Sequence, residues 1–328
     1  MLNGDKYMAI RLRELKILSP FFVLRDWIME KTGLFKLKKA IKTKLFYKRL
    51  LREDEQKKKE IAKLILDLPD NYITNQISSD DFVFSLTSYG KRVEDALPYA
   101  LYSIITQSIT PKKIVVYLDW DNWSDEKLPH LLQQLKRIGV EFRYCKDIRS
   151  YKKLIPALKD FPDNPIITLD DDFYYNPQYH SWMRNAYDKS DKRTVLGQWA
   201  CIPVVEDGKY APYSTWVDCK YMKEGDEISF FGCCCCYPPN IFDDEIFKEE
   251  IFMNLCPTAD DIWFWVMEKR LGIKTKLIEP SGNTYNTSVN RIEEYDWTQQ
   301  GTLMYLNVTQ GKNDKQLEAL LKHYNIFP

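Results

Sequence analysis

The chain has no apolar run approaching the ~20 residues that a membrane-spanning helix needs. Phe21-Phe22-Val23-Leu24 is far too short, and residues 1–30 lack the apolar core of a secretion signal. The eight cysteines, Cys145, Cys201, Cys219, Cys233 to Cys236 and Cys256, form no framework of paired spacings. With neither export signal nor disulfide pattern, the expected location is the reducing cytoplasm, with association at the inner face of the cell membrane as a further option. The Cys233-Cys234-Cys235-Cys236 run invites a metal-site reading. Neighbours on a strand face opposite ways, however, and structural zinc sites use spaced pairs, so small packed residues are expected. Internal repeats and low-complexity linkers are also missing.

Net charge is formally zero, but it is unevenly spread. Residues 1–65 hold 18 basic against 8 acidic side chains, a net +10, which leaves −10 for the rest. Lys36 to Arg52 contains eight basic residues and no acid, interleaved with Leu37, Ile41, Leu45, Phe46, Leu50 and Leu51. That pattern reads either as a solvated helical extension that docks a partner, or as peripheral membrane contact through residues 36–52. Nucleic acid is not expected as a partner, because the body is acidic and carries no recognition motif.

A hydrophobic content of 45% in 328 residues is enough for a large core and argues against disorder. From residue 81 the pattern alternates strands and helices. Apolar strands at Asp81–Leu86, Lys113–Leu118, Val140–Tyr144 and Ile166–Leu169 are separated by helical spacings at Leu97 to Ile105, Leu128 to Ile138 and Tyr151 to Leu158. Such alternation predicts an α/β fold with a mostly parallel central sheet flanked by helices. The expected division is a basic helical extension over 1–75 and a body over 76–328. Within the body, a nucleotide-binding half covers about 80–175 and an acceptor half about 176–315.

The fourth strand runs directly into Asp170-Asp171-Asp172. Three adjacent carboxylates repel one another, and hard divalent cations such as Mg²⁺ or Mn²⁺ take carboxylate and phosphate oxygens together. The carboxyl ends of strands are where open α/β sheets bind ligands. A polar turn is the plain alternative.

The ordered segments SLTSYGKR (85–92), KIVVYLD (113–119), DIRSYKKLIPAL (147–158), IITLDDD (166–172) and PTADDIWFW (257–265) resemble bacterial nucleotide-sugar glycosyltransferases of the GT-A superfamily. The similarity is to family-2-like enzymes of capsular and lipopolysaccharide gene clusters, and it covers about residues 80–315. The resemblance implies a donor such as a UDP- or GDP-sugar, a glycan or lipid-linked glycan acceptor, and Mn²⁺ or Mg²⁺ as cofactor. It implies nucleotide contacts at Thr87, Tyr89, Arg92, Asp119 and Lys153, with Lys152 as a solvated rival to Lys153. Asp170 and Asp172 match the DxD motif, with Asp172 the direct metal ligand and Asp170 nearer the ribose. Asp171 is expected to turn away into bracing hydrogen bonds.

In the same superfamily the later acidic pair, Asp260-Asp261, supplies the general base. Thr258 and Asp261 also form a capping-box pattern, which would leave Asp260 as the base; alignment favours Asp261. Trp216 and Trp263 are the expected acceptor-facing aromatics. Where relatives are glycine-rich, this chain has Phe231-Gly232 followed by four cysteines, a change expected to narrow the donor pocket. Asn313-Asp314 fits the family pattern with no role implied. Two rival readings stay open: a nucleotidyl- or phosphosugar-transferase with the same metal–diphosphate geometry, and a catalytically silent glycan-binding protein.

Overall fold

The computed structural model describes residues 34–76, 80–223, 225–280, 286–291 and 305–328. The first 33 residues of the expected extension, and residues 281–285 and 292–304 of the expected acceptor half, lie outside them. The chain divides into two compact units at Glu55/Gln56. That division falls inside helix α1 (Leu34–Asp67), well before residue 75. The reason is packing: Ile61 and Ile65 are buried against Phe82 and the other apolar groups on one face of the sheet, so the end of α1 belongs to the body.

Seven strands make the central sheet: β1 (Val83–Thr87), β2 (Lys113–Asp119), β3 (Glu141–Cys145), β4 (Ile166–Leu169), β5 (Thr194–Gly197), β6 (Cys235–Tyr237) and β7 (Lys274–Leu277). Their order is β7-β5-β6-β4-β1-β2-β3. Strands β1 to β4 are mutually parallel, β6 runs against both neighbours, and β7 is parallel to β5. The expected class, a mostly parallel α/β sheet flanked by helices, is what the chain adopts. Successive residues feed opposite layers: Val83, Ile166 and Cys235 enter one core, and Phe84, Ile167 and Cys236 the other. Strands covered on both faces are buried along their length, and β1 and β4 are buried almost throughout, Ser85 and Thr168 included.

The further helices of six or more residues are α2 (Leu97–Ile105), α3 (His130–Ile138), α4 (Ile155–Asp160), α5 (Tyr179–Asp188), α6 (Glu249–Leu255), α7 (Asp260–Leu271) and α8 (Lys312–Tyr324). The helix expected over Tyr151–Leu158 is split. A 3₁₀ turn spans Arg149–Lys153, and α4 restarts with Pro156 in its first turn, where proline's missing N–H costs nothing. All four residues of the cysteine run are buried free thiols. Cys234 stands in the left-handed region at φ +60°, pinned because its N–H donates to Thr168 O at 2.8 Å. Glycine takes that conformation without a Cβ penalty, so a cysteine there is held at a conformational cost.

Helix α7 is buried over Ile262–Glu268 and ends at Gly272 in the left-handed conformation. Glu268 is 3% exposed, and its Oε2 has no hydrogen-bond partner. Burial pushes it up to about 8. The folded chain therefore holds a proton there that the unfolded chain releases near pH ~4.5. Stability is full below that pH and is lost as pH rises toward 8. Glu268→Gln is expected to stabilise the chain by about 4 kcal/mol at pH 7.5 and by almost nothing at pH 4.5. Urea titrations at both pH values check this, and an equal gain at each would refute it.

Candidate active site

The acids expected at strand ends gather at the carboxyl end of the sheet. Asp170-Asp171-Asp172 follows directly on β4, which pairs with β1. Asp171 turns inward: it is buried, accepts a hydrogen bond from Ser88 Oγ, and lies 3.4 Å from Arg92 Nη1. Burial raises its pKa, and Arg92 and the Ser88 hydrogen bond pull it back. Arg92 Nη2 also pairs with Asp172. Ser88 lies in the turn after β1 and Arg92 opens the one-turn helix Arg92–Asp95 that follows it, so register between two parallel strands brings the SLTSYGKR and LDDD segments together.

The second acidic pair reaches the first through one ammonium. Lys153 Nζ lies 3.0 Å from Asp170 Oδ1 and 3.2 Å from Asp260 Oδ2. Burial disfavours the charged lysine, but Asp170 and Asp260 outweigh it and hold its pKa well above the usual range. The 3₁₀ turn that carries Lys153 also grips the chain before α7. Ser150 Oγ donates to Asp260 Oδ1 at 2.7 Å, Arg149 donates to Pro257 O at 2.8 Å, and Tyr151 donates to Cys256 O. Lys152 is no solvated rival: it is buried and paired with Asp147, because the tight turn sends adjacent side chains to different faces.

Asp261 lies one position on along α7 and only partly buried. Its Oδ2 accepts a hydrogen bond from Tyr213 at 3.2 Å. Burial, reinforced by the neighbouring Asp260 charge, raises its pKa to about 7 against the opposing pull of Lys153. The Tyr213 backbone N–H donates to Asp314 Oδ1 at 2.6 Å, which gives the late Asn313-Asp314 pair a place in holding that tyrosine. Gly232 at φ +69° crosses over the cluster. A Cβ there would sit 3.4 Å from both Asp261 Cβ and Lys153 Nζ. A side chain there would meet the acids at ordinary contact distance, and the left-handed backbone is what favours glycine at this position.

The expected capping box does not form. Ala259 is the N-cap residue, and no side chain caps the helix. Thr258 instead donates its hydroxyl to Asn307 Oδ1 and Gln316 Oε1, at 2.7 and 3.0 Å. Neither Asp260 nor Asp261 is consumed as a cap. Trp216 and Trp263 present no face to an acceptor. Trp216 is packed among Tyr210, Tyr213 and Trp265, with its indole N–H donated to Ala211 O. Trp263 is fully buried and donates to Ile246 O. Trp263 lies in the stretch of α7 that is buried on every side, where large aromatic rings go to the core.

Three expected residues stand apart from this network. Thr87 donates its hydroxyl to Tyr117 O at 2.8 Å. Tyr89 is half-exposed, with the Arg92 guanidinium 5.8 Å from its ring centre. Asp119 is buried at the end of β2, and its Oδ1 accepts from the backbone and side chain of Asn122 at 2.9 and 2.7 Å. Ser88, Ser150 and Tyr175 were not singled out by the sequence. Tyr175 accepts from the Asp170 N–H at 2.7 Å and donates back to Asp170 O at 2.8 Å, which fixes the start of the triplet. Ser88 and Ser150 lie inside segments that were recognised, and that was their only signal.

No family model matches the sequence, and no curated protein matches it significantly. Among solved structures the chain is similar to TarS 1–349 from S. aureus in complex with UDP, at 16% identity over 75% of this chain and 72% of that one, with a TM-score of 0.43. It is also similar to a 4-diphosphocytidyl-2C-methyl-D-erythritol synthase, at 11% identity over 70% of this chain and 98% of the other, with a TM-score of 0.39. A third likeness is to the 2-C-methyl-D-erythritol 4-phosphate cytidylyltransferase of Francisella tularensis, at 12% identity over 67% and 100%, with a TM-score of 0.38.

Proposed function

We propose that the chain transfers a sugar from a UDP- or GDP-sugar to a hydroxyl of a glycan or lipid-linked glycan, with inversion. The cellular setting we infer, from the sequence resemblance, is surface-polysaccharide biosynthesis. The carrying observation is Lys153, whose ammonium joins Asp170 to Asp260 and so unites two acid clusters far apart in sequence. One cluster suits the donor diphosphate, and the other suits proton removal from an acceptor.

Asp170 and Asp172 fit a divalent ion such as Mn²⁺ or Mg²⁺. They are hard oxygen donors, 34% and 19% exposed, at a position where diphosphate oxygens could complete the coordination. Arg92 competes by pairing with Asp172, and a diphosphate is the ligand able to draw that guanidinium away. When bound, the ion neutralises charge on the departing diphosphate.

Asp261 is the better base. It is the more exposed acid, it is free of the lysine clamp that holds Asp260, and its raised pKa lies near neutrality. Asp261 takes the acceptor's hydroxyl proton as that oxygen bonds the anomeric carbon. The bond from that carbon to the diphosphate oxygen breaks, and its electron pair leaves with the nucleoside diphosphate. Asp260 and Tyr213 position the lysine and the base.

Thermal unfolding with candidate nucleotide sugars, each with and without Mn²⁺, tests this reading. The true donor at 100 times its Kd adds about 2.7 kcal/mol of stability, a rise of several degrees. Asp172→Asn is expected to remove the metal-dependent part of that rise. Turnover must release a nucleoside diphosphate. Release of inorganic pyrophosphate would establish a nucleotidyltransferase instead, and a donor shift with no turnover would establish a silent binding protein.

A further inference from the structure

We propose that helix α1 carries, over residues 36–52, a docking surface for an anionic lipid membrane on which the helix lies flat. This goes beyond the transfer reaction and does not depend on it. Leu37, Ile41 and Leu45 repeat every four residues on one stripe and are 55%, 50% and 61% exposed. Leu51 and Phe46 add further exposed apolar area. All eight basic side chains from Lys36 to Arg52 are exposed among them, and no acid interrupts the segment. Soluble surfaces seldom leave such a stripe open to water. Exposed aliphatic groups set within a dense cationic field are what an anionic headgroup layer receives: ammonium groups meet phosphates, and the apolar stems enter the acyl boundary.

The spacing argues against other occupants. A helical partner would call for apolar groups alternating at three and four residues, and this stripe advances by four each time. Single-stranded nucleic acid is met by stacking rings and a duplex by contacts to its phosphates, and neither gives a use to the aliphatic groups that make up four of the five exposed apolar side chains here. No helix among the described residues is long and apolar enough to cross a membrane, so the contact proposed is with the surface.

Co-sedimentation of the full chain with phosphatidylcholine vesicles, with or without about 30% phosphatidylglycerol, tests the proposal. Binding is expected only to the anionic vesicles and should collapse in high salt. The triple variant Lys38→Gln/Lys42→Gln/Lys44→Gln should weaken it about 100-fold, at roughly fivefold per charge removed. Leu37→Asn/Ile41→Asn/Leu45→Asn should weaken it as well while leaving the donor-induced thermal shift unchanged. All six side chains are exposed, so both variants should fold. Failure to bind anionic vesicles overturns the proposal. So does binding that the asparagine variant does not weaken, which would mark a general polyanion surface. Self-association lost in the asparagine variant would also overturn it, in favour of a second copy as the occupant. None of these outcomes touches the donor-site reading, which the thermal shift reports separately.

Discussion

Asp261→Asn is expected to lower kcat by about 10² to 10⁴-fold, the usual worth of a positioned general base. Donor affinity should stay within about twofold, because the donor diphosphate is assigned to Arg92, Asp170 and Asp172 instead. The pH dependence provides a second, independent readout. A base must be ionised to act, and burial raises Asp261 to about 7. Wild-type kcat/KM should therefore fall about tenfold per pH unit below about 7 and level off above it, and the asparagine variant should lose that inflection. Asp260→Asn should behave differently. It removes one of the two carboxylates holding Lys153, so its main effect falls on stability and donor affinity. An Asp261→Asn variant with more than a tenth of wild-type kcat, or with an unchanged inflection, would move the proton transfer to another residue.

Lys153→Met is expected to cost about 3–5 kcal/mol of stability, because it strips the cation from a buried carboxylate and leaves that charge uncompensated. Asp260 is 7% exposed and would keep only its hydrogen bond from Ser150. A loss of that size is a large share of the ~5–15 kcal/mol that holds an ordinary domain together. The double variant Lys153→Met/Asp260→Asn separates the cause from simple cavity effects. If the destabilisation is an orphaned charge, removing the charge should recover at least 1 kcal/mol of it. Urea midpoints for wild type, both single variants and the double variant give the coupling energy. Strict additivity would mean that Lys153 and Asp260 do not interact energetically despite their 3.2 Å separation.

Much of the sheet was legible because its signals are local. Val83–Thr87, Lys113–Asp119 and Ile166–Leu169 are apolar runs that stop at polar turns, and a strand covered on both faces needs such runs. Gly272 ends α7 in the left-handed conformation that favours glycine, which is a local signal of the same kind. The acids at strand ends were visible for the same reason. What the sequence did not show was how neighbours are placed. Lys153, the lysine expected at the site, joins the two acid clusters, but Lys152, expected in solvent, is buried and paired with Asp147. Trp216 and Trp263 carry no mark that separates a stacking platform from a core ring. Thr258 was drawn out of its capping role by Gln316 and Asn307, partners more than forty residues away that no local pattern reveals.

By itself the sequence determined the α/β class, the order of strands and helices as far as the fourth strand, and that carboxylates would lie at the sheet's carboxyl edge. Side-chain periods of two and 3.6 residues are properties of the local backbone, and they are written wherever apolar residues fall. The tertiary structure alone decided that Lys153 bridges the two acid clusters, that Tyr213 and Asp314 support Asp261, and that α1 ends inside the body. Those contacts depend on which faces meet across the sheet. Meeting is set by the burial of whole layers, and single residues do not encode it.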